Sequence, residues 1–64
     1  MSNYDVVGAI MDYEQGEMET IDQVLELFSH LIKSGTINHL QGSYGRAANS
    51  LIESGHLDRN GNIL

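Results

Sequence analysis

The feature that most constrains this fold is a capped amphipathic stretch in the middle of the chain. Thr20 and Gln23 have the spacing of a capping box, in which two side chains satisfy free backbone amides at a helix start. Gly35 is the residue type on which helices commonly end. The sequence therefore predicts a helix over Ile21–Ser34. Its apolar side chains recur at helical spacing and form one wide stripe: Ile21, Val24, Leu25, Leu27, Phe28, Leu31 and Ile32.

A shorter helix is predicted before this central one, over residues 4–15. Ser2 and Asp5 have the spacing of a capping pair at its start, and Gly16 is its expected end. The connection to the central helix is short, which favours an antiparallel neighbour. The predicted helix carries one apolar side, which can extend to Tyr13: Val6, Val7, Ile10, Met11 and Tyr13.

The chain after Gly35 predicts a helical turn over residues 36–40 and a helix over residues 44–54. Ser43 is the expected N-cap of that helix, because its hydroxyl can accept a free backbone N–H. Gly55 is its expected end. The apolar stripe of this helix begins at Tyr44 and includes small residues, which permit close packing: Ala47, Ala48, Leu51 and Ile52.

The tail contains the turn dipeptide Asn60-Gly61, which predicts a short hairpin or a segment lying on the core with Ile63 and Leu64 inward. We therefore predict one all-α domain over residues 1–64. It would be a compact three-to-four-helix bundle with a short C-terminal extension or hairpin. A domain of this size buries only about 60% of its unfolded surface, and the chain has no cysteine for a disulfide. Homo-oligomerisation would be a further source of stability.

Charge is divided unevenly along the chain. Every charged side chain before Lys33 is acidic, whereas all three basic residues, Lys33, Arg46 and Arg59, lie from that position onward. The formal net charge of −6 repels duplex phosphate overall, so any nucleic-acid binding would be confined to the second half. The acidic half suits a basic partner. Its alternative role is that of a solvated face that keeps the protein soluble.

The segment that joins the last two helical stretches groups the residue types of protein interfaces. Tyr and Arg dominate interface hot spots, because each combines a large contact area with a directional polar group. We therefore predict a partner-binding site formed by Gln41, Tyr44, Arg46 and His39. In the alternative interpretation, Tyr44 is a half-buried packing residue and Arg46 pairs with an acid of the first two helices.

The same region has the order of parts of a winged helix-turn-helix. Residues 36–41 would be the supporting helix, residues 44–54 the recognition helix, and Asn60-Gly61 the turn of a wing. The helix-turn-helix is our second hypothesis, because the supporting helix would be short and the chain has only three basic residues. The side chains facing the DNA groove would be Ser43, Tyr44, Arg46 and Asn49.

No motif predicts an enzyme, a cofactor or a metal site. His30, His39 and His56 lack metal-ligand spacing. The run from Asp58 to Asn62 opens like a calcium loop but lacks the later glutamate, so it predicts a turn. Nothing supplies a catalytic triad with an oxyanion site. We also find no charged leader and no apolar run of about 18 residues, so a cytoplasmic protein without a membrane span is expected.

Three runs resemble a group of very small proteins encoded by tailed bacteriophages: Ile10-Met11-Asp12-Tyr13-Glu14-Gln15-Gly16-Glu17, Leu25-Glu26-Leu27-Phe28-Ser29-His30-Leu31-Ile32 and Leu40-Gln41-Gly42-Ser43-Tyr44-Gly45-Arg46-Ala47-Ala48. The most specific part is Leu-Gln-Gly-Ser-Tyr-Gly-Arg, residues 40–46 of the third run, and the group carries no assigned activity. The resemblance implies a protein made in the cytoplasm of an infected bacterium. Small acidic phage proteins often bind and redirect host proteins. By that analogy we expect a non-enzymatic accessory protein that modulates or inhibits a bacterial polymerase, nuclease or defence component.

Overall fold

The computed structural model describes residues 4–64 and is helical throughout its main elements. The all-α prediction is confirmed. None of the helices in this part of the chain has the length and apolar character needed to span a bilayer. The elements, in chain order, are α1 (Val6–Glu14), α2 (Ile21–Ser34), a 3₁₀ helix (Thr36–His39) and α3 (Gly42–Glu53).

The central helix α2 has the predicted bounds, and the predicted capping box holds its start. The Gln23 N–H donates to Thr20 Oγ1 at 3.3 Å, and the Thr20 N–H donates to Gln23 Oε1 at 3.2 Å. Gly35 ends the helix with φ +78°, a left-handed conformation that a residue with a Cβ rarely adopts. Asp22 in the first turn and Lys33 in the last turn complement the helix dipole.

The starts of α1 and α3 differ from the sequence predictions. Asp5 is the N-cap of α1, since its Oδ1 accepts from the Gly8 N–H at 3.0 Å, whereas Ser2 lies outside the described residues. The prediction of Ser43 as the N-cap of α3 was wrong. The helix begins at Gly42 after Gln41, which makes no side-chain capping bond. Tyr44 lies in the first turn of this helix, and its ring is buried in the core.

The core is formed chiefly by one side of α2. Phe28 is fully buried and is the largest of the fully buried side chains. Helix α3 contributes Tyr44 and Ala48, and the tail contributes Leu57. The buried apolar residues are Leu25, Leu27, Phe28, Leu31, Tyr44, Ala48 and Leu57.

Three aromatic rings join the three α-helices at the centre of this core. Tyr13 of α1 meets Phe28 of α2 edge to face, with ring centroids 5.4 Å apart. Tyr44 of α3 lies 5.6 Å from Tyr13 and 6.1 Å from Phe28. Aromatic pairs at these separations contribute about 0.5–1.5 kcal/mol each beyond their area burial.

The hydroxyl of Tyr44 adds a polar connection between α3 and α1. It donates to Glu14 Oε2 at 2.7 Å, although the ring itself is only 4% exposed. Burial, followed by this hydrogen bond and the Glu14 charge, raises the pKa of Tyr44 to about 12. The hydroxyl is therefore held in its protonated, donating form.

The tail lies against α2 through Leu57 and Gly61. An isolated antiparallel bridge pairs Leu57 with Ile63. Between them, Asp58 Oδ1 accepts from the N–H groups of Asn60 and Asn62, each at 2.9 Å. Gly61 is buried with φ +88°, and a Cβ there would lie 3.0 Å from the Ser29 carbonyl oxygen.

The buried apolar side chain of the tail is that of Leu57. The predicted inward placement of Ile63 and Leu64 was wrong, because these side chains are 51% and 73% exposed. The reason is the turn between Asp58 and Asn62. It brings Gly61 against α2 and leaves the residues that follow at the surface.

We expect Gly61→Ala to lower the free energy of unfolding more than Gly55→Ala does. Both glycines have positive φ, but a Cβ at Gly55 meets nothing within 4 Å, whereas one at Gly61 meets α2. The conformational cost alone is about 1 kcal/mol, and the contact with Ser29 should bring the Gly61 variant to about 2–3 kcal/mol. Urea unfolding followed by circular dichroism measures both. Equal losses would contradict the close packing of the tail.

We expect Tyr44→Phe to lower the free energy of unfolding by about 1 kcal/mol at neutral pH, through loss of the hydrogen bond to Glu14. Because the folded-state pKa is raised, the stabilisation from Tyr44 is present below about pH 10 and is lost as the pH rises toward 12. The variant should lack this part of the alkaline decline in thermal unfolding scans. Tyr13→Phe, which keeps the Glu14 bond, is the control. An unchanged alkaline decline in Tyr44→Phe would refute the assignment.

Candidate functional site

The structure separates the four predicted partner-binding residues into two groups. Gln41, Arg46 and His39 are exposed around the start of α3. Tyr44 is buried and bonded to Glu14, so its ring is not available as an exposed anchor. The spacing of Tyr44 from Ala48 already placed it on the apolar stripe of its helix, which is the signal that favours burial.

A cleft between α1 and the start of α2 gathers much of the protein's negative charge. We call it the acidic cleft. Carboxylates from both helices and from the intervening loop line it, together with an aromatic ring and apolar surface. The charged members are Asp5, Asp12, Glu17 and Glu26, and the remaining lining residues are Tyr4, Gly8, Ala9, Met18 and Gln23.

Tyr4 forms the aromatic part of the acidic cleft. Its ring stacks on the His30 ring of α2, with centroids 4.1 Å apart and an angle of 4° between the planes. Partial burial raises the pKa of Tyr4, and the charges of Glu26, Asp12 and Asp5 raise it further. The carboxylates that disfavour a negative charge on Tyr4 favour a positive one beside it, so this cleft suits a cation.

A second, mostly apolar cleft lies beside the acidic cleft. We call it the apolar cleft. Leu25 and Ile63 provide its apolar surface, and Asp22, Gln23 and Glu26 complete its lining. Gln23 and Glu26 line both clefts, so the two are adjacent on α2.

A third groove lies where the end of α2, the 3₁₀ helix, α3 and the tail meet. Its apolar surface includes Ile32, Ile37 and Ile52, and its charged residues are Glu53 and Arg59. The two opposite charges give it no net electrostatic preference. It therefore indicates a partner less clearly than the acidic cleft does.

The geometry around α3 bears on the helix-turn-helix hypothesis. The supporting element predicted over residues 36–41 is a 3₁₀ helix of four residues, Thr36–His39. Arg46 and Asn49 are exposed on α3, but so is Glu53, whose charge opposes that of Arg46. Tyr44, predicted to face the groove, lies in the core instead.

Within residues 4–64, no group of three or more His, Asp or Glu side chains is arranged to hold a metal ion. The oxygen atoms of Asp58 accept from backbone and side-chain donors of Asn62 and from the Asn60 N–H, and these bonds hold the pKa of its carboxyl below the ordinary value. The residues that resemble the start of a calcium loop therefore bond to one another and stabilise the turn.

The spacing of the acidic residues in the sequence is a signal for the two clefts. Asp5 and Asp12 are seven residues apart, and Asp22 and Glu26 are four apart, so each pair shares one helix face. What spacing could not show is that Tyr4 and Ile63, near opposite ends of the chain, complete the clefts.

Comparison with curated proteins and with solved structures gave no match. A family model does match the chain, over residues 1–64. Its description, a domain of unknown function, assigns no ligand and no reaction to any residue. The chain belongs to this family, DUF7417.

Proposed function

We propose that this protein is a non-enzymatic phage accessory protein that binds and modulates or inhibits a bacterial host protein with a basic surface. A polymerase, a nuclease or a defence component would be such a target, in the cytoplasm of the host cell. The observation that carries the proposal is the acidic cleft, where carboxylates of α1 and α2 surround Tyr4. We further propose that the helices form a three-helix bundle completed by the C-terminal extension.

The acidic cleft is suited to long basic side chains. The aliphatic part of a lysine or arginine can pack on Tyr4 and Met18, while its charged end reaches the carboxylates of Asp12 and Glu26. A cleft lined by one sign of charge also concentrates the field and speeds association with an oppositely charged partner. Binding through this cleft should therefore weaken as salt is added.

This proposal explains how so small a protein could inhibit a larger one. A surface that normally holds nucleic acid is basic, and an acidic face can occupy it in place of phosphate. Gln41, Arg46 and His39 remain a proposed second contact region, because all three are exposed near the start of α3. Tyr44 would support this region from within the core.

The runner-up is a small helix-turn-helix regulator. It has weaker support, because the supporting element is a single 3₁₀ turn and Glu53 shares the exposed surface of α3 with Arg46. It predicts DNA affinity with a steep salt slope that Arg46→Ala reduces. Nucleic acid retained without a host protein would support this alternative.

The test is an affinity pull-down of the tagged protein from nuclease-treated bacterial lysate, at low and moderate salt. We expect one host protein in stoichiometric amount. The double variant Asp12→Asn, Glu26→Gln should weaken its capture about tenfold, through the loss of two charge pairs. Asp5 and Glu14 are left intact, because they cap α1 and hold Tyr44.

Glu53→Gln is the matched control, since it removes an exposed carboxylate of α3 outside the acidic cleft. Its capture of the host protein should equal that of the parent. Equal capture by the double variant would refute the acidic cleft as the binding site. Retention of nucleic acid alone, lost on nuclease treatment, would favour the DNA-binding alternative.

A further inference from the structure

The apolar cleft gives the acidic surface a hydrophobic centre. Leu25, which is buried, and Ile63, which is 51% exposed, both line it. Ile21, which is 52% exposed, lies one turn before Leu25 on the same helix. Asp22 and Glu26 line the same cleft. Apolar surface surrounded by charge is the usual anatomy of a protein interface.

The tail that carries Ile63 is held in place before any partner arrives. The bridge to Leu57, the turn closed by Asp58 and the packing of Gly61 on α2 fix its backbone. A surface that is already ordered loses little conformational freedom on binding. The cleft therefore offers a fixed apolar contact, in contrast to a mobile chain end.

The charges around the apolar cleft determine what can occupy it. Asp22 and Glu26 are one helical turn apart on α2, and the acidic cleft continues from Glu26 toward Tyr4. An occupant with apolar side chains alone would leave these carboxylates partly desolvated and unpaired, which is unfavourable. Apolar side chains flanked by lysine or arginine satisfy both clefts at once.

We infer that the partner docks through an amphipathic basic helix, whose apolar stripe enters the cleft of Leu25 and Ile63 while its basic residues meet Asp22, Glu26 and the acidic cleft. This inference rests on the proposed function and specifies the partner segment. A helix fits because the surface follows α2, and two helices pack with side chains at i, i+3, i+4 and i+7 as anchors.

Helix α1 of a second copy of this chain does not meet these requirements. Its exposed apolar residues on α1 are Val7 and Met11, which are 71% and 53% exposed. The charged side chains of that helix are Asp12 and Glu14, and the residue that caps it is Asp5. Such a helix would bring like charges together, which is unfavourable.

The test uses two synthetic peptides of about 18 residues with the same content of leucine and lysine. An 18-residue helix is about 27 Å long, which equals the longest extent of the protein at 27 Å. One peptide has leucines at helical spacing along one face, and the other has a scrambled order. Fluorescence anisotropy with labelled peptides gives both dissociation constants. We expect the amphipathic peptide to bind at least about tenfold more tightly.

Substitutions in the protein locate the contact. Ile63→Ser should weaken binding of the amphipathic peptide about fivefold and leave the scrambled peptide unaffected. Leu64→Ser is the matched control, because Leu64 is more exposed and does not line the apolar cleft. Its effect should be less than about twofold. Equal losses from the two substitutions would overturn the placement of the apolar stripe.

The two proposals fail differently in this experiment. Equal affinity for both peptides, sensitive to salt and to the double variant Asp12→Asn, Glu26→Gln, would overturn the amphipathic helix and leave the acidic binding surface standing. Absence of binding by either peptide would overturn the inference, while the pull-down decides the proposed function separately. A protein dimer that Ile63→Ser dissociates would assign the cleft to a second copy and also overturn the inference.

Discussion

The contact of Tyr44 with Tyr13, Phe28 and Glu14 is the interaction on which the rest of the structure depends. It is where all three α-helices meet, and it combines ring packing with one charge-assisted hydrogen bond. The core is small, so few other residues could supply the apolar surface that these rings bury. The contact also fixes α1 beside α2, and the acidic cleft lies between these helices.

The acidic residues of α1 and its cap have distinct roles, although their charges are alike. Asp5 caps the helix, and Glu14 accepts from Tyr44, so both have structural partners. Asp12 lines the cleft with Glu26, where like charges lie near one another and near Tyr4. Concentrating like charge opposes folding, and a positively charged group placed in the cleft would relieve that repulsion.

The sequence predicted α2 to the residue, because both of its ends carry explicit local signals in the Thr20–Gln23 box and Gly35. It was less successful at the start of α3. Ser43 looked like a cap by residue type, but the helix begins two residues earlier than predicted, at Gly42, with Tyr44 buried in its first turn. Tertiary packing decides between such neighbouring starts. Local sequence patterns could not predict the complete clefts, because each cleft is lined by residues that are distant in the chain.

Burial of Tyr44 also changes the interpretation of the run from Leu40 to Arg46. Residues 41–46 looked like an exposed recognition segment, yet the aromatic ring at their centre packs on Phe28. Gly45 follows at a position where an added Cβ would meet nothing within 4 Å, so close packing does not require that glycine. The run therefore has a structural reason at Tyr44 but none at Gly45. The space around Gly45 and the exposed Arg46 next to it form an open surface on α3. This surface is part of the second proposed contact region.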